Sequence, residues 1–388
     1  MLSEHDVIIV GCGPAGTAAA VTLARRGLDV VMVDRACFPR KKLCGGLLTW
    51  KAVKLLEVAF QESATSLTEQ GIINYASDLY AIKSFDTVLA EGELPYPFHF
   101  VDRSAFDAHL LKLAEQAGAK SILGTAVTAC DPEAGEVVLS NGDTLRGKHV
   151  IGADGANSTL RASHPRHDRK RFREGMAPAI EVALPKDAFP REVSFPELYV
   201  GFLDAGYGWV FPNKDRVIVG ICGLRRNKEN FSVLFEDYLA KLGVDRSLVG
   251  TLHGHPLPYG NYISDPVHKR LMLAGDAGGF VEPLFGEGIF FALCTGLFAG
   301  ESILEAEAKR ISPGPLYSRR LHREIVPELK ASDRLRWALF LSMRYTGTAA
   351  LGCFVRTGAS PLAEMVHGMR SYSLLRRKEW DFLPQPSG

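Results

Sequence analysis

Gly11, Gly13 and Gly16 stand at G-x-G-x-x-G spacing, directly after the β-branched run Asp6-Val-Ile-Ile-Val10 and at the start of the alanine-rich stretch that ends at Arg26. Each glycine has its own use in holding a pyrophosphate. The first permits a tight turn, the second lets the phosphates approach the backbone, and the third lets helix and strand pack closely. The N-terminus of the following helix adds amide donors and positive potential. Asp34 closes the next apolar run, Asp29 to Val33, about 20 residues past the glycines, where a carboxylate accepts hydrogen bonds from ribose hydroxyls. Glycine-rich turns are common, so the three glycines alone discriminate poorly. Strand, glycines, helix, strand and acid in this order identify a dinucleotide site.

Reaction chemistry points to other residues. Cys44 follows Arg40, Lys41 and Lys42 and precedes Gly45-Gly46. Cations close to a thiol favour thiolate, whereas a lone cysteine elsewhere is a small buried hydrophobe. The paired glycines suggest a backbone that comes close to something flat. Tyr207 and Trp209 alternate on an expected strand and so share a face. They form either an aromatic wall for an apolar ligand or ordinary sheet packing. The Arg40 to Lys42 cluster and the run Arg166-His-Asp-Arg-Lys-Arg-Phe-Arg173 suit either a phosphate group or a solvated loop. HExxH spacing is absent, and His253 and His255 could chelate a metal, though two isolated imidazoles are more often ordinary surface or packing residues.

The elements that position these residues are readable from pattern. Val150-Ile-Gly-Ala-Asp-Gly155 and Arg270-Leu-Met-Leu-Ala-Gly-Asp276 look like strand ends of the nucleotide domain. After Arg103, Ser104 and Asp107 read as an S-x-x-D cap, with Phe106, Leu110, Leu113 and Ala117 on one buried face and Gly118 closing the helix. Strand-like pieces follow at Ser121 to Val127 and Glu136 to Leu139, and Asn141-Gly142 marks a hairpin. Ile180 to Leu184, Leu198 to Leu203 and Val217 to Leu224 alternate or run apolar between Pro and Gly. The expected fold class is α/β. Residues 1–71, 102–165 and 266–310 build a Rossmann-type nucleotide domain, 72–101 and 166–265 a β-sheet substrate domain, and 311–388 a C-terminal helical appendage.

A length of 388 residues fits two domains and an appendage. With 45 Lys+Arg against 44 Asp+Glu, the chain lacks the basic excess of a nucleic-acid binder. No basic, apolar leader precedes Asp6, so a cytoplasmic protein is expected. Seven cysteines (Cys12, Cys37, Cys44, Cys130, Cys222, Cys294, Cys353) with no CxxC pair fit reduced thiols. No run of 18 or more apolar residues occurs. Trp337 to Met343 and Ala349 to Val355, near Arg334, Arg336, Arg344 and Arg356, suit either peripheral contact with a membrane or a helix packed on the sheet domain.

The N-terminal G-x-G-x-x-G, the central Asp154-Gly155 and the late Gly275-Asp276 occur in the order seen in FAD enzymes built like aromatic hydroxylases, which the chain resembles. The resemblance implies FAD as the cofactor. It implies that Gly11, Gly13, Ala15, Gly16, Asp34 and Arg35 hold the nucleotide, with Arg103 near its phosphates and Ala126 and Val127 beside it. It further implies that Cys44, Gly45, Asp154, Gly155, Gly275 and Asp276 contact the cofactor. Gly286, Gly288 and Ile289 would open a helix whose positive end faces the flavin ring. Within that superfamily the chain is similar to the geranylgeranyl reductase family. Phe38-Pro-Arg-Lys-Lys-Leu-Cys44-Gly-Gly46, Tyr207-Gly-Trp209-Val-Phe211-Pro212 and Leu273-Ala-Gly-Asp276 carry the likeness, with Asp204 in place of the leading proline of PxxYxWxFP. This implies hydrogenation of isoprenoid carbon–carbon double bonds, with hydride from the reduced flavin and a proton from Cys44, Tyr207 or water. Trp209 would line the substrate channel, and electrons would come from NAD(P)H or a ferredoxin. The competing class is a flavin monooxygenase or halogenase, for which Trp209 and Pro212 echo WxWxIP and Lys51, Lys54 and Lys83 are possible lysines. A third class, a non-catalytic flavin binder, would need its flavin-facing residues lost, and none is.

Overall fold

The structure is a computed structural model that describes residues 2–85, 87–224, 230–250, 252–347, 352, 361–373 and 377–384, without the side chains of Leu2 and His253. The chain opens with β1 (Leu2–Val10), α1 (Pro14–Ala24), β2 (Val30–Val33), β3 (Leu47–Leu48), α2 (Trp50–Phe60) and α3 (Ala64–Glu69). The long hairpin β4 (Ile73–Ser84) and β5 (Thr87–Val101) leads to α4 (Arg103–Gln116), β6 (Lys120–Ile122), β7 (Val127–Asp131), β8 (Glu136–Leu139) and β9 (Thr144–Gly152). Then come α5 (Arg169–Glu174), β10 (Met176–Pro185), β11 (Glu197–Tyr199), β12 (Gly206–Pro212), β13 (Arg216–Gly223), α6 (Phe231–Lys241) and β14 (His253–Pro258). The chain ends with β15 (Val267–His268), β16 (Leu271–Leu273), α7 (Ile289–Lys309), α8 (Pro313–Glu324) and α9 (Val326–Thr346).

Two sheets organise the molecule. The first runs β15-β16-β9-β1-β2-β6, with β8 pairing β9 and β7 pairing β8. Its central strands are parallel and wholly apolar where they are covered on both faces, as in Val7 to Val10 against Val30 to Val33. The second runs β14-β10-β13-β12-β11-β4-β5-β3. The Asn141-Gly142 hairpin forms as expected, with Gly142 at φ +88° joining β8 to β9. Leu47 and Leu48, within the expected nucleotide segment, instead pair with Phe100 and His99 of the second sheet. The Cys44-Gly-Gly loop is thereby tied to both sheets.

The S-x-x-D cap is a correction. Asp102 caps α4, accepting from the amides of Ser104 (2.7 Å) and Ala105 (3.4 Å), so the cap lies two residues earlier and Asp107 is free for other work. α7, at 21 residues, is apolar enough by length and composition to cross a membrane, yet 83% of its apolar window is buried in this fold, where it packs on α1. On α9, Trp337, Leu341 and Tyr345 lie one turn apart and exposed, and Arg336 is buried. The second half of the expected membrane segment, Ala349 to Val355 with Cys353 and Arg356, lies outside the described residues apart from Gly352. Among the described residues no group of three or more His, Cys, Asp or Glu is placed to hold a metal ion.

Candidate functional site

The glycine turn has the geometry its spacing demands. Gly11 sits at φ +104°, and a side-chain Cβ there would lie 2.2 Å from the Ala153 carbonyl oxygen. At Gly16 it would lie 1.8 Å from the carbonyl oxygen of Gly11, so strand and helix touch only because both residues are glycine. Gly13 differs: its nearest neighbour would be Arg40 Nη2, at 3.5 Å. Gly13 is the N-cap of α1 and no side chain caps that helix. Its free amides and the Arg40 guanidinium are the donor set for a pyrophosphate. Buried Asp107 orients the cations, accepting from Arg40 Nη2 at 2.9 Å and from Arg103 at 2.9 and 3.0 Å. Burial opposes the charge on Arg103, but Asp107 and the neighbouring Cys44 outweigh it and raise its pKa.

Asp34 follows β2 and accepts from the Cys12 amide at 2.8 Å and the Ala36 amide at 2.9 Å. Each oxygen keeps a second lone pair for a ribose hydroxyl. Thr125 N–H donates to the Asp34 carbonyl at 3.0 Å, so the loop before β7 forms a neighbouring wall. Ala126 within that loop gives its own amide to Ser140 Oγ, Val127 is buried, and Arg35 is exposed.

The central and late motifs clamp each other. Asp154 Oδ2 accepts from the amides of Thr159 (2.7 Å) and Leu160 (3.2 Å), while buried Oδ1 has no partner and burial raises the pKa. The turn it stabilises, after Gly155 at φ +81°, delivers Arg161 to the carbonyls of Asp276 (3.1 Å) and Ala277 (3.0 Å). Phe172 stacks 3.5 Å beneath the Arg161 guanidinium, and burial brings the Arg161 pKa down to about 10. In the run Arg166 to Arg173, Arg166 pairs with Asp265 at 3.2 Å and Asp168 caps α5. Gly275 donates its amide to Thr295 Oγ1 at 2.8 Å. A Cβ at Gly275 would lie 3.1 Å from the Ala15 methyl, and one at Gly296 would lie 2.0 Å from the Ala15 carbonyl, so α1 and α7 meet around Ala15. Gly288 is the N-cap of α7, again with no side-chain cap, and Ile289 is its first residue. Two uncapped helix starts, a free carboxylate at β2 and oriented arginines fit a dinucleotide whose second half reaches from Gly13 toward Gly288.

The second sheet presents an aromatic row to these loops. Tyr207, Trp209 and Phe211 share one face of β12, with ring centroids 6.1 and 6.3 Å apart, while Gly208 on the opposite face packs on Tyr238 of α6. Tyr207 donates its hydroxyl to the Phe285 carbonyl, and burial raises its pKa well above the ordinary value, so it holds the loop at Gly286. The ring nearest Gly45 is Phe211: a Cβ at Gly45 would lie 2.7 Å from it, and one at Gly46, at φ +70°, 2.1 Å from the Val101 carbonyl. Cys44 is half-buried and close to Arg103, and its Sγ accepts from the Gly46 amide at 3.4 Å. Trp209 Nε1 lies 3.6 Å from where a Gly45 Cβ would stand, one residue along from Cys44, and Tyr207 stands next in the row.

Several residues of this site escaped sequence reasoning. Glu181 of β10 is 9% exposed and accepts from the Cys44 amide at 3.0 Å through Oε1. Burial first, against the Cys44 amide, Trp209, Arg103 and Lys42, pushes its carboxyl up to about 7. A lone acid inside Ile180-Glu181-Val182 was the available signal. Lys42 donates to His255 Nε2, and burial with nearby Lys42 and Arg103 drives His255 down to about 3. Lys51 is fully buried, 2.6 Å from Glu287 Oε2, with the rings of Phe290, Phe291 and Tyr372 around it. Lys54 pairs with Glu57 and Lys83 with Glu197.

The sequence matches the FAD binding domain family over residues 4–294. It is 34% identical to menaquinone reductase of Mycolicibacterium smegmatis, over 78% of this chain and 76% of that protein. It is 29% identical to the chloroplastic geranylgeranyl diphosphate reductase of Arabidopsis thaliana, over 87% of this chain and 74% of that protein. Among solved structures, a geranylgeranyl bacteriochlorophyll reductase-like protein from Thermoplasma acidophilum superposes with a TM-score of 0.77 at 20% identity, covering 96% of this chain and 94% of that one.

Proposed function

The chain belongs to the geranylgeranyl reductase family of FAD-dependent oxidoreductases, and from that premise we propose that it hydrogenates carbon–carbon double bonds of an isoprenoid-type apolar chain. The observation that carries this reading is the Tyr207, Trp209 and Phe211 row, turned toward Cys44-Gly45 and Gly286 and able to hold an apolar chain against the cofactor loops. Bound and reduced, FAD supplies the hydride. The protein's contribution is position and exclusion of water, because an isolated alkene is a poor hydride acceptor and gains most from orientation. Trp209 and Phe211 form the wall, Tyr207 fixes the loop at Gly286, and Cys44 anchors the turn that closes over them. The electron donor, NAD(P)H or a ferredoxin, would bind transiently, since the chain carries one dinucleotide fingerprint.

A second reading, a flavin monooxygenase or halogenase, draws on Lys51, the one of the three candidate lysines that is buried beside the Gly286-Glu287-Gly288 loop. One experiment separates the two. Under anaerobic conditions, dithionite-reduced holoenzyme given a polyunsaturated isoprenoid should regain its oxidised flavin spectrum. Reoxidation only on admission of oxygen would favour the second reading.

Cys44 gives a further expected result. Cys44→Ala should fold and keep FAD, because the site is half-buried and little volume is lost, but turnover should fall by more than about tenfold as the Gly46 amide loses its acceptor. Cys44→Ser replaces that acceptor and should restore most of the activity. A serine variant as inactive as the alanine one, with FAD content normal in both, would make the thiol itself the reacting group.

A further inference from the structure

Across the second sheet, Glu181 of β10 stands opposite Gly220 of β13, and Gly220 stands opposite Trp209 of β12. Gly220 leaves its place in this row empty and the Trp209 indole occupies it: a Cβ at Gly220 would lie 2.1 Å from Trp209 Cζ2. The indole N–H is thereby brought close to Glu181 and under the Gly45 turn, where a Cβ would lie 3.6 Å from Trp209 Nε1. Glu181 Oε1 is committed to the Cys44 amide. Glu181 Oε2 and Trp209 Nε1 are both buried, and among the described residues the indole N–H is the one protein group beside the carboxyl's second oxygen. An ionised carboxylate here would be a charge almost wholly removed from water, a cost that the Cys44 amide and the indole offset only in part. The neutral acid avoids burying that charge: Oε1 remains the carbonyl acceptor for the Cys44 amide, and Oε2 carries a proton that no described protein group receives.

We propose that Glu181 is the proton donor of the reduction, its Oε2–H directed past the Trp209 edge at the alkene carbon that does not receive hydride. This rests on the reductase reading above. In the step, the hydride from the reduced cofactor forms one C–H bond with its own electron pair. The π pair forms the second C–H bond with the Glu181 proton. The O–H bond breaks, its electrons remain on the carboxylate, and solvent returns a proton before the next turnover. Among the described residues, the groups facing Glu181 are the Cys44 amide, the cations Lys42 and Arg103, and the Trp209 indole. His255 lies close by on β14, held by Lys42. His253, its cross-strand neighbour on β14, has a side chain outside the described set. The pKa of about 7 that burial imposes, against an ordinary 4.5, keeps a protonated population at neutral pH in spite of the two cations.

Glu181→Gln holoenzyme tests the assignment, since the amide keeps an oxygen for the Cys44 N–H and removes the acid. A carboxyl whose pKa is raised on folding binds its proton more tightly in the folded state. Wild-type stability should therefore fall between the unfolded and folded values, and the glutamine variant should gain melting temperature relative to wild type between about pH 5 and about pH 8. Anaerobic single turnover should slow by more than about tenfold, and the decline of the wild-type rate above about pH 7 should be absent in the variant. FAD content should be unchanged. A variant that turns over as fast as wild type, or a melting difference that does not change with pH, overturns the role. A wild-type enzyme that reduces no isoprenoid removes the reductase reading and this role with it, whereas an active wild type with an equally active Gln variant removes the role alone.

Discussion

A Gly16→Ala variant should purify colourless. The added methyl would sit 1.8 Å from the Gly11 carbonyl oxygen, in the turn after β1, and 3.2 Å from the Ile9 side chain at the end of β1. Neither neighbour is the free end of a flexible chain, so α1 must draw back from the turn. Over-packing of this kind costs about 1–3 kcal/mol, which a protein of ordinary stability survives. The cofactor does not survive it, because the free amides beyond Gly13 and the Arg40 guanidinium have to meet one pyrophosphate together. FAD per chain, read from visible absorbance of the folded protein, should fall below about a tenth of wild type. A yellow Gly16→Ala protein with full occupancy would mean that the glycine turn is not the phosphate site.

Gly220→Ala should do the reverse, keeping FAD and losing turnover. Its methyl would lie 2.1 Å from Cζ2 and 2.4 Å from Cε2 of Trp209, so the indole must leave the row between Glu181 and β12. Gly220 belongs to the second sheet, and no cofactor-loop residue is among the closest neighbours of the site. A shift that costs about 1.4 kcal/mol of transition-state positioning is a tenfold loss, and displacing the whole ring should exceed that. The measurement is single-turnover rate at matched FAD content. Trp209→Phe in the Gly220→Ala background, which removes the colliding ring, should recover part of the loss. Unchanged turnover in Gly220→Ala would show that the wall is packing alone.

What the sequence made legible follows from how local the physics is. Gly11, Gly13, Gly16 and Asp34 were readable because a tight turn, a close approach and a ribose acceptor are demands on single residues at set spacing. The alternation of Tyr207, Trp209 and Phe211 was readable because strand period alone puts them on one face. Asp107 was misread as part of a cap, since a carboxylate one turn into a helix carries no sign of Arg40, 67 residues away. Gly45 was expected to approach a flat surface at the flavin, whereas the ring nearest it is Phe211, which depends on how β12 lies over the loop. Glu181 was invisible for a similar reason. Its significance arises from the Cys44 amide, 137 residues distant, and from an indole that crosses a glycine on the intervening strand. Leu47 and Leu48 joined the second sheet because two leucines supply no register until β5 is beside them.

The central claim is that this FAD protein adds hydrogen across carbon–carbon double bonds. Mass spectrometry of a polyunsaturated isoprenoid, before and after anaerobic incubation with the reduced holoenzyme, tests it most directly. The account predicts products heavier by two hydrogens for each double bond consumed, formed without oxygen and slowed in the Gly220→Ala and Glu181→Gln variants. A product that appears only with oxygen and carries an added oxygen or halogen atom would contradict it.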